Sequence, residues 1–230
     1  MKKTLFTLLL AATAMTAGCS DDDDNTGPEG EARVRVVHAS PDAPDVDVLV
    51  DDASVLTDVP YLAASGYLDV PTGDRNLKVN AAGTTTTVID ADVNLVDGTD
   101  YTVIASGLVA AIEPLVLEDD NSEPAAGNAR VRAIHGAASA PAVDIYVTAP
   151  DADLTAEDPA LSNVGFGDVA DYIEAPAGDY QVRVTPAGTK TVVIDSGTLT
   201  LGSGQVRTAI AVDAPGGGAP FDLLLLEDLN

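Results

Sequence analysis

In 230 residues the chain has no tryptophan, three phenylalanines, one cysteine and four lysines. Aromatic residues are 4% of it, so any core must rest on Val, Ile, Leu and Ala. One Cys leaves no intrachain pair, which excludes a small disulfide-stapled domain and an antibody-type sandwich with its Cys pair and Trp. The shortage of Lys leaves 11 basic residues against 37 acids, 29 of them Asp, and a formal charge of −26. Such a chain repels phosphate, because nucleic-acid affinity needs Lys and Arg to displace counterions. Nucleic acid and bare anionic lipid are therefore poor candidates as partners. No Gly-x-Ser-x-Gly elbow, His-Glu-x-x-His, Walker loop or Cys-based nucleophile occurs, so nothing points to an enzyme.

The hydrophobic content, 46%, is that of a globular protein. The acids then have two readings. Dispersed carboxylates keep a protein soluble, and a Lys-poor acidic surface suits high salt. Clustered carboxylates are instead hard ligands for Ca²⁺. The first reading is the stronger, because few of the acids fall into a calcium-loop pattern.

Residues 1–18 read as a signal peptide, with Lys2 and Lys3 ahead of a short apolar run from Leu5 to Met15. That run falls short of the roughly 20 apolar residues that span a bilayer. It ends in Thr16-Ala17-Gly18-Cys19, which resembles a lipobox, with Thr16 where Leu is usual. The resemblance implies a diacylglycerol on Cys19, the only Cys, and a membrane anchor through its acyl chains. Residues 19–30, with Ser20 and the run Asp21–Asp24, form a charged tether that resembles outer-membrane and surface-sorting signals.

The remainder is written twice. Ala32-Arg33-Val34-Arg35-Val36-Val37-His38 returns as Ala129-Arg130-Val131-Arg132-Ala133-Ile134-His135, and Tyr67-Leu68-Asp69-Val70-Pro71 as Tyr172-Ile173-Glu174-Ala175-Pro176. Thr87-Val88-Ile89-Asp90 returns as Val192-Val193-Ile194-Asp195, and Leu117-Glu118-Asp119 as Leu226-Glu227-Asp228. The organisation is repeat 1 over 31–119, a short acidic linker over 120–127, and repeat 2 over 128–230. An insertion in repeat 2, Thr148 to Ala160, reads as an exposed loop.

Within each repeat the hydrophobic period is two, bounded by Pro-x-Gly-Asp, Asp-Gly and Gly-Ser-Gly turns. Seven or eight short strands per copy predict an all-β fold: two tandem Ig-like antiparallel β-sandwich domains. The run Val34-Arg35-Val36-Val37-His38-Ala39-Ser40-Pro41-Asp42-Ala43-Pro44, then Val46-Asp47-Val48 and a Pro-x-Gly-Asp turn, resembles the domain of unknown function 4397 family. The resemblance covers nearly all of 31–230, once per copy, although the second copy reads His135-Gly136-Ala137-Ala138-Ser139-Ala140-Pro141. It implies exported bacterial β domains, often on lipoproteins, and brings no catalytic residues.

Candidate sites are few. His38 and His135 end the first strand of each copy; with the repeated acids Asp47 and Asp144 they read as structural residues, the histidines bonding the Pro-containing turn that follows. Asp90-Ala91-Asp92-Val93-Asn94 begins like a calcium loop, but Leu95 stands where Gly is needed and Tyr101 where Glu is, so a strand's wet face fits better. Gly165-Phe166-Gly167-Asp168 lacks the strand-to-helix context of a dinucleotide site and reads as a turn. Glu118, Asp119, Asp120 and Glu123 are the remaining candidates for interdomain Ca²⁺, against a solvated linker. Sugar recognition would rest on Tyr61, Tyr67 and Tyr146.

The expectation is a non-catalytic cell-envelope lipoprotein without cofactor, displaying its modules for adhesion, spacing or assembly toward a protein or glycan. The alternative is a sugar- or peptide-binding lipoprotein. If the acids serve high salt, raising KCl from 0.1 M to 2 M should raise Tm; a flat or falling response would count against that role.

Overall fold

Alternation of Val, Ile and Leu with polar residues makes strands, and turn residues with left-handed backbone close them. The computed structural model describes residues 30–229. The leader, Cys19 and the tether up to Glu29 lie outside the described residues, and with them the expected lipid attachment. The first unit holds eight strands: β1 (Glu31–Ala39), β2 (Val46–Val50), β3 (Ala53–Val59), β4 (Leu68–Pro71), β5 (Gly73–Ala81), β6 (Thr87–Leu95), β7 (Asp100–Ser106) and β8 (Glu113–Asp119). The second repeats them as β9 (Asn128–His135), β10 (Val143–Thr148), β11 (Leu161–Val164), β12 (Ile173–Pro176), β13 (Gly178–Pro186), β14 (Ile194–Leu201), β15 (Val206–Val212) and β16 (Asp222–Leu229). Among the described residues the only helices are two three-residue 3₁₀ turns, and no helix is long and apolar enough to cross a membrane.

Each unit is a sandwich of two four-stranded sheets. The inner sheets run β4-β1-β7-β8 and β12-β9-β15-β16; the outer sheets run β3-β2-β5-β6 and β11-β10-β13-β14. One pair in each unit departs from the antiparallel expectation: β1 lies parallel to β7, and β9 parallel to β15. Parallel neighbours need a long crossover, and the intervening strands supply it. Period-two alternation carries no strand direction, so the sequence pattern is blind to this pairing.

The calcium-like run Asp90–Asn94 lies on β6, with Asp90, Asp92 and Asn94 exposed between the buried Ile89 and Leu95. Gly165–Asp168 is a turn, with Gly167 at φ 82°. The insertion of repeat 2 is largely exposed, yet it is fastened down. Its Leu154 is buried, Asp151 N donates to Gln181 Oε1 at 2.8 Å, and Lys190 Nζ bonds Glu157 O.

β1 is buried on both faces. Ala32, Val34 and Val36 enter the core of their own sandwich, together with Val48, Val70, Leu77, Leu95, Tyr101 and Val103. Val37 and Ala39 point the other way and join Ile104 in an apolar layer with Ile134, Ile210, Val212 and Leu226 of the second unit. The two inner sheets thus pack on each other, and the sandwiches meet face to face.

His38 and Asp47 fix the loops of the first unit. His38 Nε2 donates to Pro44 O at 3.1 Å while Nδ1 accepts from Ser40 N at 3.4 Å, an arrangement that uses both nitrogens of the neutral ring. His135 Nε2 makes the equivalent bond to Pro141 O at 3.1 Å, and its Nδ1 has no partner. Asp47 accepts from Asp58 N and Gly83 N, both at 2.9 Å; Asp144 accepts from Asn163 N at 2.8 Å and Gly188 N at 2.7 Å. In each unit one carboxylate therefore ties an edge strand, at a left-handed residue (φ 53° and 54°), to a hairpin turn. Gly83 and Gly188 hold φ of 68° and 73° there, which a Cβ would strain.

Burial pushes the His38 imidazole below its ordinary value of 6.5, outweighing the bond to Pro44 O. The folded pKa lies below the unfolded one, so this contribution to stability is complete above about pH 6.5 and is lost as pH falls toward the folded value. His38→Gln should flatten the fall in urea midpoint between pH 7 and pH 5 relative to wild type; an unchanged slope would place the acid sensitivity elsewhere.

Candidate functional site

Two features of the structure stand apart from ordinary sandwich packing: a buried charge ring between the units and an open core in the second unit.

The ring is built from residues that the repeat duplicates. Arg35 on β1 and Arg132 on β9 point out of their own sandwiches into the apolar layer between the inner sheets. Arg35 Nη2 donates to Asp228 Oδ1 of the second unit at 2.7 Å and to Thr102 Oγ1 at 2.8 Å. Arg132 Nη2 donates to Asp119 Oδ1 of the first unit at 2.5 Å and to Thr208 Oγ1 at 3.0 Å. Thr102 then donates to Asp119 Oδ2 at 2.6 Å, and Thr208 to Asp228 Oδ2 at 2.5 Å. The circuit Arg35–Thr102–Asp119–Arg132–Thr208–Asp228 closes on itself and crosses the interface twice. Its arginine side chains are 3% exposed and its aspartates 0%.

Around the ring, Arg35 Nη1 donates to Glu227 O and Arg132 Nη1 to Glu118 O, both at 3.1 Å. Tyr67 and Tyr172 cap it from either side, their rings 4.9 and 4.6 Å from the guanidinium carbons and their hydroxyls donating to Asp119 and Asp228. Burial pushes both phenols well above their ordinary value, and the neighbouring carboxylates add to the effect. They remain neutral donors throughout the physiological range.

The ring decides the fate of several expected site residues. Asp119, a calcium candidate, is spent on Arg132, Thr102 and Tyr67. Asp120 pairs with Arg130 at 2.7 Å and bonds Ser122, Glu118 offers its backbone carbonyl to Arg132, and Glu123 is exposed. Among the described residues no group of three or more His, Cys, Asp or Glu is placed to hold a metal ion. The linker is not free chain: Asn121 Nδ2 donates to Asp100 Oδ2 at 2.7 Å and to Tyr67 at 3.1 Å, and Arg130 bonds Ser122. The three Tyr residues considered for sugar recognition form no platform. Tyr146 is 2% exposed, Tyr67 belongs to the ring, and Tyr61 donates to Asp213 O at 2.7 Å.

The second feature is a difference between the copies. Register pairs make Val36, Val70, Val103 and Tyr101 of the first core equivalent to Ala133, Ala175, Ala209 and Arg207 of the second. Leu77 is likewise equivalent to Val182. Tyr101 is buried at 3% and its hydroxyl accepts from Val96 N at 3.2 Å; Arg207 instead turns to Glu227. The edge strand changes as well. β3 pairs with β2 as far as Val50, whereas the β10–β11 ladder ends at Ile145, so Val147, the equivalent of Val50, is 48% exposed. The first sandwich retains a void of about 20 Å³, and the second holds a cavity of about 300 Å³ between its sheets. Ala133, Ile145, Val182 and Leu199 line its walls, with Tyr180, Thr200 and Arg207 as the polar members.

These features define a tandem all-β sandwich protein with an interlocked domain interface. The chain belongs to the domain of unknown function (DUF4397) family, whose model matches residues 3–48, 32–146 and 147–230. No curated protein matches it. Among solved structures, one described as alpha-glucan binding by a streptococcal virulence factor is 14% identical, covering 78% of this chain and 92% of that one at a TM-score of 0.25. The family CBM26 module of Amy13K from Eubacterium rectale, solved with maltoheptaose, is 9% identical over 86% and 96% of the chains, with a TM-score of 0.25. A leucine-rich repeat protein from Bacteroides thetaiotaomicron is 12% identical over 83% and 27%, with a TM-score of 0.19.

Removing one partner of a buried ion pair leaves the other charge uncompensated, which costs about 3–5 kcal/mol. Arg35→Met should lower stability by that amount in urea unfolding, and Arg35→Met combined with Asp228→Leu should recover a large part of it. A single-variant loss under about 1 kcal/mol would show that the ring contributes little.

Proposed function

We propose that the protein is a non-catalytic module of the bacterial cell envelope, in which two fused sandwiches form one rigid block for adhesion, spacing or assembly. The reciprocal Arg–Asp ring carries this reading. A spacer is useful only if its length and angle are fixed, and a buried, charge-neutral circuit that crosses the interface twice restrains both. Inter-domain contacts that are small and polar leave domains free to move; this one joins an apolar layer to four paired charges. The lipobox-like Thr16–Cys19 segment supports export and anchoring by acyl chains on Cys19, and Ser20 with the acidic tether supports an outer-membrane or surface address. The partner on the outer faces is a protein or glycan rather than nucleic acid, given the charge of −26. The block works without a cofactor. Calcium is unnecessary between the domains because Arg132 and Arg130 already neutralise Asp119 and Asp120.

A second reading, ligand binding, is favoured by one observation: the second sandwich is open where the first is closed.

Small-angle scattering on wild type should fit a single rigid particle across 0.1–1 M NaCl. Arg35→Met together with Arg132→Met should increase the radius of gyration. A wild-type profile that needs an ensemble of domain orientations would refute the rigid-block reading. In cells, labelled palmitate should enter wild type and not Cys19→Ala, and protease added to intact cells should cut a surface-displayed chain.

A further inference from the structure

We infer that the cavity of the second sandwich is a binding site for a medium-chain aliphatic carboxylate, its tail between the two sheets and its head at Arg207. The duplication supplies an internal reference. The same fold, in the same chain, closes its core with Val36, Val70, Val103 and Tyr101, so a filled interior is available to this architecture. In the second copy all four positions shrink or change character together, to Ala133, Ala175, Ala209 and Arg207. A void left in a core costs stability in proportion to its volume. The hollow is also accessible: the edge strand beside it is four residues long against seven, and Val147 and Ile173 stand 48% and 49% exposed at its rim.

Size and chemistry select the occupant. A cavity of about 300 Å³ lies at the lower bound of small-molecule sites. It is about twice the roughly 150 Å³ apolar cavity that takes one benzene, so it suits on the order of a dozen carbon atoms. Its walls are aliphatic, with Tyr180 the only aromatic member, and Tyr180 Oη is already bonded to Pro176 O at 2.7 Å. Stacking of sugars therefore has no platform, whereas a flexible alkyl chain fits a slot between sheets. Arg207 is one of seven arginines in a chain of charge −26, and the exchange that opens the core is the one that brings this cation into it. Among the described residues its hydrogen-bond partner is Glu227, a side chain 54% exposed, through Nη1 alone. A guanidinium has five donors, and a ligand carboxylate can take those that face the cavity.

The test uses the full chain carrying Cys19→Ser, purified without detergent, with dodecanoate added below its micelle-forming concentration. Titration calorimetry should give one site per chain. Saturating dodecanoate should raise Tm by several degrees, since a ligand that binds only the folded state stabilises it. Dodecanol should bind about tenfold more weakly, and Arg207→Met should bring dodecanoate down to the affinity of dodecanol. Ala133→Val with Ala209→Val, which restores the first copy's residues, should abolish binding; if that pair fails to fold, Ala175→Val alone should weaken binding at least tenfold. No saturable binding overturns the inference, as does a stoichiometry well above one, which marks surface adsorption. Undiminished binding in the filled variants places the ligand elsewhere and overturns it equally. A preference for phosphatidylcholine vesicles over free dodecanoate would overturn the free-carboxylate assignment in favour of a membrane lipid.

Discussion

The arrangement of the molecule depends on how two arginines are kept charged inside an apolar layer. Arg35 and Arg132 would each be prohibitive alone, because a guanidinium does not give up its proton and an unpaired buried charge is costly. Each finds its nearest carboxylate on the other unit, at 2.7 and 2.5 Å, whereas Asp119, in the same unit as Arg35, stands 3.7 Å from it. Docking is thereby coupled to burial of the inner sheets, and one relative placement of the units pairs both charges at once. Replacing buried ion pairs by apolar side chains is often neutral for stability. The better-supported contribution of this ring is to specificity: an all-aliphatic interface of Val, Ile and Leu can slide, and a ring with fixed donor and acceptor positions cannot.

The acidity also takes on a different meaning. Twenty-nine aspartates read as a solvating coat, yet Asp100, Asp119, Asp144, Asp213 and Asp228 are buried and each holds something in place. Asp119 and Asp228 hold the interface, and Asp144 ties an edge strand to a turn. Asp213 accepts from Ser139 N and Gly218 N, and Asp100 binds Arg33 and Asn121. Asp is short, presents two acceptors and reaches backbone N–H groups at turns, which suits a β protein whose sixteen described strands are joined by turns.

Duplication allows one copy to keep the load of folding while the other changes. The first sandwich is filled and closed. The second tolerates an emptied core because the inner sheet it shares with the interface is held from behind by the ring and by Ile134, Ile210, Val212 and Leu226. The proposed uses, display and ligand capture, do not compete for the same residues: the ring lies between the inner sheets and the cavity within the second sandwich.

Strand content, the duplication and the turn positions were legible in the sequence, because period-two alternation and Pro-x-Gly-Asp turns are local properties. The structural roles of Asp47 and Asp144 were visible as repeated acids at fixed places, although their targets, Gly83 and Gly188, lie far along the chain. The ring left a trace that local reasoning passed over. Arg35, Tyr67 and Asp119 return as Arg132, Tyr172 and Asp228, and alternation separates the arginines from Val34 and Val36, but one strand cannot show that a second unit covers the face they occupy. The cavity was hidden for the same reason: Ala133, Ala175, Ala209 and Arg207 are unremarkable residues until strand register places them around one space. The sequence by itself determined which segments become strands and that they come in two sets. Only the tertiary structure decided which strand faces are buried, which charges meet and which core is left open, because those depend on how separate strands pair and pack, as β9 does with β15 and Arg35 with Asp228 across 193 residues.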